Sequence, residues 1–375
     1  MFVGWFTTAA GGESVTAEMP ITADVTLFAQ WEVDVPTLFD AFAAGALNEK
    51  GATYNGFLGD ETLGGTFTLV VKKPKKGQTT ATATLAKIDP VTGKKVKITG
   101  TVDVATGVCA DGLAGLELSA KGVGGSLGGV PVQGAVDAAK AKDQDALAVM
   151  NGFNKQLYGL VFADAAGEEA YLTATFSTKG KVKVAGSYRG AKVSGSSTMC
   201  VGDAVCAVPF VWSKKGVTVT FVLWFDKATR TLVDVSGLGA GATLVDAGLA
   251  GGSAATYPFA LDEAAVRASV PDAITETFLS LAIRFDGKKF DAGKAAKVSY
   301  KKGELTVDTS KGDNVTGLKL SYSKGVLKGS FTVYAVTGGK LVKNKFTVAG
   351  VLVDGVGYAS GTNKKLPAIP LVLTR

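Results

Sequence analysis

The chain has 375 residues, of which 46% are hydrophobic and 19% charged, so it is not disordered and is long enough for two or three domains. Its net charge is +7, but the lysines are dispersed through turns and alternating segments, so we interpret them as solvated and predict no nucleic-acid partner. Histidine is absent, which excludes Ser-His-Asp triads and histidine-ligated metal or haem sites.

The 49 glycines have no collagen-like period, and many follow a lysine between segments in which apolar and polar residues alternate. The clearest example runs from Leu320 to Tyr334, where Lys324 and Gly325 separate two such segments. Alternation around a glycine predicts an antiparallel hairpin, because successive strand side chains point to opposite faces. The predicted fold class is mainly β: tandem antiparallel β-meander domains, closed as small barrels or sandwiches, with short connecting helices.

Residues 1–33 have aromatic residues near both ends and a Gly-Gly turn between them. The pattern is carried by Phe2, Gly4, Trp5, Phe6, Thr7, Gly11, Gly12, Val15, Thr16, Asp24, Val25, Thr26, Leu27, Phe28, Ala29 and Trp31. In these residues the segment resembles the second half of a Listeria–Bacteroides repeat, the B-repeat of internalin-type surface proteins. The resemblance implies a small β-grasp-like spacer or adhesive module of an exported bacterial protein. It also implies a longer chain before Met1, with the missing half-repeat and a signal peptide.

Large aromatic side chains dominate protein cores, so we expect Trp5, Phe6, Phe28 and Trp31 in the core of this first segment.

Residues 36–134 are predicted to form the first β-meander domain. Apolar spacing predicts a leading helix over residues 36–50. Strands are expected at 54–58, 66–72, 80–87, 95–102, 113–119 and 130–133. The glycine-rich stretch at 122–129 lacks the Gly-Lys-Ser/Thr ending of a phosphate loop, so we interpret it as turn and coil.

A period of 3.6 residues predicts a helical linker at 135–156, and a second β-meander domain is expected at 157–245. Similar strand patterns begin at Tyr54 and Tyr158, an offset of 104 residues, which indicates a weak internal repeat. The residues at 260–375 are predicted to form a helix, in 262–281, and a last β-meander domain.

The chain has three cysteines, of which Cys200 and Cys206 are close in sequence and Cys109 is distant. This spacing leaves two alternatives. Cys200 and Cys206 could form a disulfide between hairpin arms in an oxidising compartment, or all three could be buried thiols. Neither the number nor the spacing of the cysteines supports a zinc site.

The candidate ligand-contact aromatics are Tyr188, Trp212 and Trp224, which could stack on a sugar. Alternation places Trp212 on the same strand face as Phe210, and Trp224 on the face opposite to that of Phe221. A core role is favoured for these side chains over a sugar platform, because large aromatics dominate cores.

We predict no catalytic, cofactor-binding or metal-binding residue. Without histidine, acid–base chemistry needs carboxylates, lysines, cysteines or tyrosines whose pKa is shifted in a cleft. The adjacent acids Glu168–Glu169 and Asp262–Glu263 are expected on exposed turns, where they do not form the facing pair of a glycosidase.

The sequence therefore favours a non-enzymatic structural or adhesive module of an exported surface protein, located outside the cell or on its surface. The alternative is a carbohydrate-binding module of a surface glycan-handling protein, so the expected partner is a cell-surface glycan or protein. No apolar stretch is long enough for a transmembrane helix. An outer-membrane barrel is disfavoured, because the predicted strands are short and rich in lysine on the outer face.

Overall fold

The computed structural model of the chain describes residues 2–8, 12–16, 18–20, 24–31, 36–59, 63–239, 241–250, 257–261, 282–286, 289–366 and 368–374. The chain divides into two compact units, Met1–Thr37 and Leu38–Arg375. The described strands pair in antiparallel sheets, which confirms the predicted mainly β fold class.

The first unit contains a three-stranded sheet. Its strands are β1 (Phe2–Phe6), β2 (Ser14–Val15) and β3 (Phe28–Trp31), with β1 in the centre. Phe6 pairs with Phe28, and both side chains are half-buried. The expectation that Trp5 is a core residue is wrong, since its side chain is 48% exposed. Alternation turns Trp5 to the face opposite to that of Phe6. The side chain of Trp31 lies outside the described residues.

The second unit begins with an eight-stranded sheet, which we call the first sheet. Its strands are β4 (Ala52–Leu58), β5 (Gly65–Val71), β6 (Thr80–Ile88), β7 (Lys95–Asp103), β8 (Cys109–Asp111), β9 (Leu116–Leu118), β10 (Gly122–Leu127) and β11 (Val130–Val136). Their spatial order is β8-β7-β6-β5-β4-β11-β10-β9. The two edges meet at an isolated bridge between Val108 and Glu117, so the sheet is nearly closed around its apolar core.

The leading helix predicted for residues 36–50 is wrong, because the chain there has only turns, a bend and irregular backbone. Its backbone is bonded to the first sheet instead: the amide of Gly45 donates to Leu118 O (3.2 Å) and that of Leu47 to Val104 O (2.9 Å). The amide of Leu38 donates to the side chain of Gln133 at 3.0 Å. These tertiary hydrogen bonds replace the ones that a helix would have formed within itself.

The glycine-rich stretch at 122–129 is also different from the prediction, since most of it is strand β10. The stretch pairs with β9 and β11, and packing requires glycine at two of its positions: a Cβ at Gly122 would lie 2.5 Å from the ring of Phe39, and one at Gly124 would lie 2.7 Å from the ring of Phe42. Both rings come from the segment that was expected to be a helix. Glycine lets that segment lie directly on the strand.

Two short helices, α1 (Ala138–Ala141) and α2 (Gln144–Gly152), lie within the predicted linker at 135–156. Each begins after an aspartate that caps it: Asp137 accepts from the amide of Lys140, and Asp143 from that of Ala146.

Two further sheets follow. The five-stranded sheet contains β12 (Leu157–Ala163), β13 (Glu169–Phe176), β14 (Lys181–Tyr188), β15 (Ala191–Thr198) and β20 (Thr243–Leu249), in the order β15-β14-β13-β12-β20. The four-stranded sheet contains β16 (Cys200–Val201), β17 (Val205–Lys214), β18 (Val217–Asp226) and β19 (Leu232–Ser236), in that order. The two sheets enclose one core, in which Phe210 stacks on Phe221 with ring centroids 5.1 Å apart.

The last sheet has the order β23-β22-β21-β30-β29-β28-β27-β26. Its strands are β21 (Tyr257–Leu261), β22 (Ala282–Phe285), β23 (Phe290–Asp291), β26 (Lys319–Ser323), β27 (Val326–Thr337), β28 (Lys340–Val353), β29 (Val356–Thr362) and β30 (Ile369–Thr374). A separate hairpin is formed by β24 (Lys297–Lys301) and β25 (Glu304–Asp308). The two ends of the last sheet meet where Phe285 packs against Tyr322, with ring centroids 5.2 Å apart.

The sheets of the second unit are joined by two apolar clusters. The Trp224 cluster joins the first sheet to the four-stranded sheet and consists of Leu38, Phe57, Leu63, Ala135, Cys200, Ala207, Val222 and Trp224. The Val353 cluster joins the five-stranded sheet to the last sheet and consists of Val161, Tyr171, Val351 and Val353, with Tyr358 packed against them.

The proposed domain limits remain predictions, although some observations bear on them. The first sheet ends at Val136 and the five-stranded sheet begins at Leu157, whereas β20 extends past residue 245. The helix expected in 262–281 lies outside the described residues.

The close contact at Gly122 leads to a testable prediction. A Gly122→Ala substitution places a methyl group against Phe39 and against the backbone oxygen of Gly134, each 2.5 Å from the new Cβ. We expect it to lower the free energy of unfolding by about 1–3 kcal/mol, measured by chemical denaturation. Ser126→Ala, at an exposed position of the same strand, is the control and should have little effect. An equal effect of both substitutions would contradict the steric role of Gly122.

Candidate functional site

The candidate site is a groove between the outer face of the five-stranded sheet and the β26–β27 hairpin of the last sheet. It has a volume of about 510 Å³. We call it the cationic groove, because its walls carry the four lysines Lys181, Lys183, Lys324 and Lys328. Hydroxyl side chains line it as well: Thr173, Thr175, Ser177, Ser196, Ser321 and Ser323.

One wall of the cationic groove is set by strand alternation in β14. Val182 and Val184 are fully buried in the core, so Lys181 and Lys183 point outward. The antiparallel register then places Lys183 between Thr175 of β13 and Ser196 of β15. A row of two hydroxyls and one ammonium group therefore crosses the sheet.

The facing wall comes from the β26–β27 hairpin. In β26 the apolar side chains Leu320 and Tyr322 pack against the core of the last sheet, which turns Ser321 and Ser323 to the outside. Ser321 pairs with Lys328 of β27. Both walls therefore place a lysine beside serine or threonine.

The hairpin is held in place at its turn. Lys324 and Gly325 both have positive φ, 51° and 77°, as in a two-residue type I′ turn. A Cβ at Gly325 would lie 2.6 Å from Ala250, the residue after β20, so only glycine allows this approach. The oxygen of Gly325 accepts from the amide of Leu352 at 3.0 Å. These contacts fix the position of Lys324.

A smaller cleft of about 210 Å³ adjoins the cationic groove. Lys181 and Ser196 line both cavities, and the ammonium group of Lys181 donates to the hydroxyl of Thr198 at 3.3 Å. The far side of the smaller cleft is formed by the first sheet, which contributes Lys95 and Thr68. The two cavities thus meet at Lys181.

The electrostatics of both cavities favour anions. No aspartate or glutamate is among the described residues that line either one, whereas five lysines are: Lys95, Lys181, Lys183, Lys324 and Lys328. Hydroxyl groups both donate and accept hydrogen bonds, and ammonium groups donate only. The arrangement can therefore bind an anionic molecule that also carries hydroxyl groups.

The three candidate ligand-contact aromatics do not come together at this groove. Trp224 is 1% exposed, donates to the hydroxyl of Ser236 (2.8 Å) and packs edge-on against Phe57. Trp212 is half-buried and packs against the core enclosed by the five- and four-stranded sheets. Tyr188 is buried in that core. Tyr188 and Trp224 are thus buried and Trp212 is half-buried, and the strand faces of Trp212 and Trp224 are as predicted.

The hydroxyl of Tyr188 belongs to a turn network around Asp164. It donates to the Asp164 carboxylate at 2.7 Å, and the guanidinium of Arg189 pairs with the same carboxylate. Burial alone would raise the pKa of Asp164, but these contacts and the amides of Glu168 and Ala166 outweigh it and hold the pKa at about 2. The pKa of Tyr188 is raised to about 12 by burial and by its bond to Asp164.

The cysteines are free and buried, which is the second of the two alternatives. Cys206 pairs with Val201, so it lies one position out of register with Cys200 on the neighbouring strand. Cys200 consequently faces the Trp224 cluster, whereas Cys206 faces the opposite core. A disulfide needs both Cβ atoms on the same side, and this register does not provide that.

The polar residues at the Val353 cluster form another group of ionisable side chains. The Tyr171 hydroxyl donates to Glu169 at 2.5 Å, and burial followed by Glu169 raises the pKa of Tyr171. Burial and the charge of Asp246 raise the pKa of Asp354. None of these side chains is among the residues that line the two cavities. The pair Asp262–Glu263 lies outside the described residues.

Sequence reasoning missed the lysines of the cationic groove as a group. The alternating Lys181–Val184 segment indicated that two lysines face outward, but they were interpreted as solvated. Lys324 and Lys328 are more than 140 residues away in the sequence, and no local pattern links them to Lys183.

Comparisons with models of protein families, with curated proteins and with solved structures find no match to this chain. Among the described residues, no helix has the length and apolar character needed to cross a membrane.

The Asp164 network leads to a prediction on stability and pH. Asp164→Asn removes the charge that Arg189 and Tyr188 stabilise, so it should lower the free energy of unfolding at pH 7 by about 1 kcal/mol, because Arg189 is partly exposed. The folded-state pKa lies below the unfolded value of about 3.9, so the stabilisation is present above that value and is lost as pH falls toward 2.

Urea denaturation at a series of pH values tests this prediction. The difference between the wild-type chain and the Asp164→Asn variant should shrink below about pH 4. Asp203→Asn, at an exposed position, is the matched control. A difference that stays constant down to pH 2 would show that charge is not the cause.

The thiols give a second prediction. Burial raises the pKa of Cys109, Cys200 and Cys206 to about 12 each, so all three are protonated and inaccessible. Iodoacetamide at pH 8 should label none of them in the folded chain and all three in guanidinium without reductant, as read by intact mass. If the denatured chain takes up fewer than three labels, at least one cysteine is oxidised, and the arrangement of free thiols is wrong.

Proposed function

We propose that this chain is a non-enzymatic structural or adhesive module of an exported bacterial surface protein. The observation that carries the proposal is how the sheets of the Leu38–Arg375 unit are joined. The Trp224 and Val353 clusters are buried and apolar, and domains usually move relative to each other unless their interface has this character. A stiff arrangement of sheets suits a spacer, which holds other domains of a surface protein at a distance.

The backbone supports the same interpretation at the Val353 cluster. Ala250 forms an isolated bridge with Val353, and the amide of Asp354 donates to Leu249 O at 3.0 Å. A Cβ at Gly159 would lie 2.6 Å from the side chain of Val353, so the two sheets approach closely. The five-stranded sheet and the last sheet are therefore joined by backbone hydrogen bonds as well as by packing.

The exported location is supported by the resemblance of residues 1–33 to a Listeria–Bacteroides repeat. In that family such repeats act as spacers or adhesive modules on secreted and surface proteins. The proposal extends this role to the rest of the chain.

A substitution in the Val353 cluster tests the structural role. Val353 is fully buried, so Val353→Asp should disrupt the packing between the five-stranded sheet and the last sheet. Small-angle X-ray scattering should show a larger radius of gyration for this variant than for the wild-type chain. Val342→Asp, at a 39% exposed position of the same strand, is the control and should scatter like the wild type.

Two results would contradict the proposal. Equal scattering of Val353→Asp and wild type, with circular dichroism showing both folded, would mean that this cluster does not hold the sheets together. The location is tested on intact cells of the source organism, where added protease should release peptides of this chain but none of a cytosolic marker. Release only after cell lysis would exclude a surface role.

A carbohydrate-binding module is the second candidate function. It is favoured by the hydroxyl side chains of the cationic groove, which lie beside lysines on both walls. Hydroxyl groups that donate and accept can match the hydroxyl groups of a sugar.

A further inference from the structure

We propose that the cationic groove binds an acidic polysaccharide, with its lysines contacting carboxylate or sulfate groups on the sugar chain. This inference rests on the proposed role as a surface module and deepens it by naming the ligand class and the residues that bind it.

The charge of the cationic groove is the first argument. Four ammonium groups, from Lys181, Lys183, Lys324 and Lys328, surround one concave space, and no carboxylate is among its described lining residues. Like charges around a cavity repel each other, and a cavity with low-dielectric walls strengthens their combined field. An anionic ligand lowers the energy of this arrangement, and a neutral one does not.

The hydroxyl groups are the second argument, because they distinguish a sugar from a simple anion. Thr175 and Ser196 flank Lys183 in the cross-strand row, and Ser321 pairs with Lys328 on the facing wall. On each wall, therefore, a lysine lies beside a residue with a hydroxyl side chain. A uronic acid or a sulfated sugar presents the complementary groups on one ring: an anion for the lysines, and hydroxyls for the serines and threonines.

The continuation of the groove is the third argument, and it favours a polymer over a single sugar. Lys181 and Ser196 line both the cationic groove and the smaller cleft, which extends to Lys95 on the first sheet. A ligand that contacts both cavities passes Lys181 and lies near the lysines of both. A repeating acidic polysaccharide is long enough and has an anionic group for each cavity.

The same surface does not fit nucleic acid. Proteins that bind single strands stack bases on accessible aromatic side chains, whereas Phe176 and Phe67, the aromatic residues among those that line the two cavities, are each only 4% exposed. Duplex DNA is read by a helix or ribbon that projects into its groove, and here the lysines line a concave surface.

The test uses the full 375-residue chain and measures its binding to four immobilised polymers: polygalacturonate, dextran sulfate, neutral dextran and single-stranded DNA. We expect binding to polygalacturonate, dextran sulfate or both, tighter than to DNA, and none to dextran. Binding should weaken as salt rises above about 0.15 M, because ions screen the lysines.

Two double variants locate the binding surface. Lys183→Gln with Lys328→Gln removes one lysine from each wall of the cationic groove and should weaken binding about tenfold. Lys192→Gln with Lys340→Gln removes the same charge from exposed positions on the same two sheets outside the cavities, and should change binding by less than about twofold.

Lysine acetylation of the wild-type chain provides a measurement that does not depend on whether the variants fold. Bound polygalacturonate or dextran sulfate should protect Lys183, Lys324 and Lys328 from an acetylating reagent, as read by peptide mass spectrometry. Lys192 and Lys340 should react equally with and without the polymer.

Several results would overturn the inference. Equal loss of affinity in the two double variants, or equal protection of all five of these lysines, would show that only net charge matters. Tighter binding to DNA would make nucleic acid the ligand. If no acidic polymer binds, the cationic groove is not a polysaccharide site, whereas the scattering result for Val353→Asp still decides the structural role separately.

Discussion

The four-stranded sheet β16–β19 is buried on both faces, and the arrangement of the Leu38–Arg375 unit depends on this constraint. On one face Phe210, Phe221 and Phe225 pack in the core shared with the five-stranded sheet. On the other face Trp224 meets Phe57 of the first sheet. Because strand side chains alternate, one pair of long strands provides both surfaces. The first sheet and the five-stranded sheet thereby pack on opposite faces of the four-stranded sheet.

The five-stranded sheet divides its outer face between two uses. On β12 and β13 the outward side chains Val161 and Tyr171 are apolar or aromatic and pack on Val351 and Val353 of the last sheet. Further along the face, on β14, Lys183 and its hydroxyl neighbours remain uncovered. The apolar half brings the β26–β27 hairpin up to the sheet, and the polar half keeps a groove open beneath it. The Val353 cluster and the cationic groove thus share one face of the five-stranded sheet. The packing of the cluster positions the two walls of the groove.

The hairpins could be predicted from the sequence because both of their signals are local. Alternation fixes the strand faces, and a residue pair such as Lys324–Gly325 fixes the turn, so the hairpin predicted from Leu320 to Tyr334 is present. The predictions of secondary structure are wrong where contacts with residues distant in the sequence determine the conformation. The segment at 36–50 has apolar spacing typical of a helix, but its backbone amides donate hydrogen bonds to Leu118 and Val104 at the ends of strands of the first sheet instead. No local pattern marks Gly122 and Gly124 as strand residues, because the rings that require glycine there, Phe39 and Phe42, belong to that same segment.

The sequence by itself determined the fold class, most of the strands and the side of each strand that is buried, because these depend on patterns with a period of two residues. It also determined that no histidine chemistry operates in this chain. Tertiary structure decided that Cys200 and Cys206 face opposite cores, since a register offset of one residue reverses the side of a strand. It also decided that Lys183 and Lys328 line one groove. Their proximity results from the packing of two sheets through the Val353 cluster, and side chains so far apart in sequence meet only when the sheets themselves have packed.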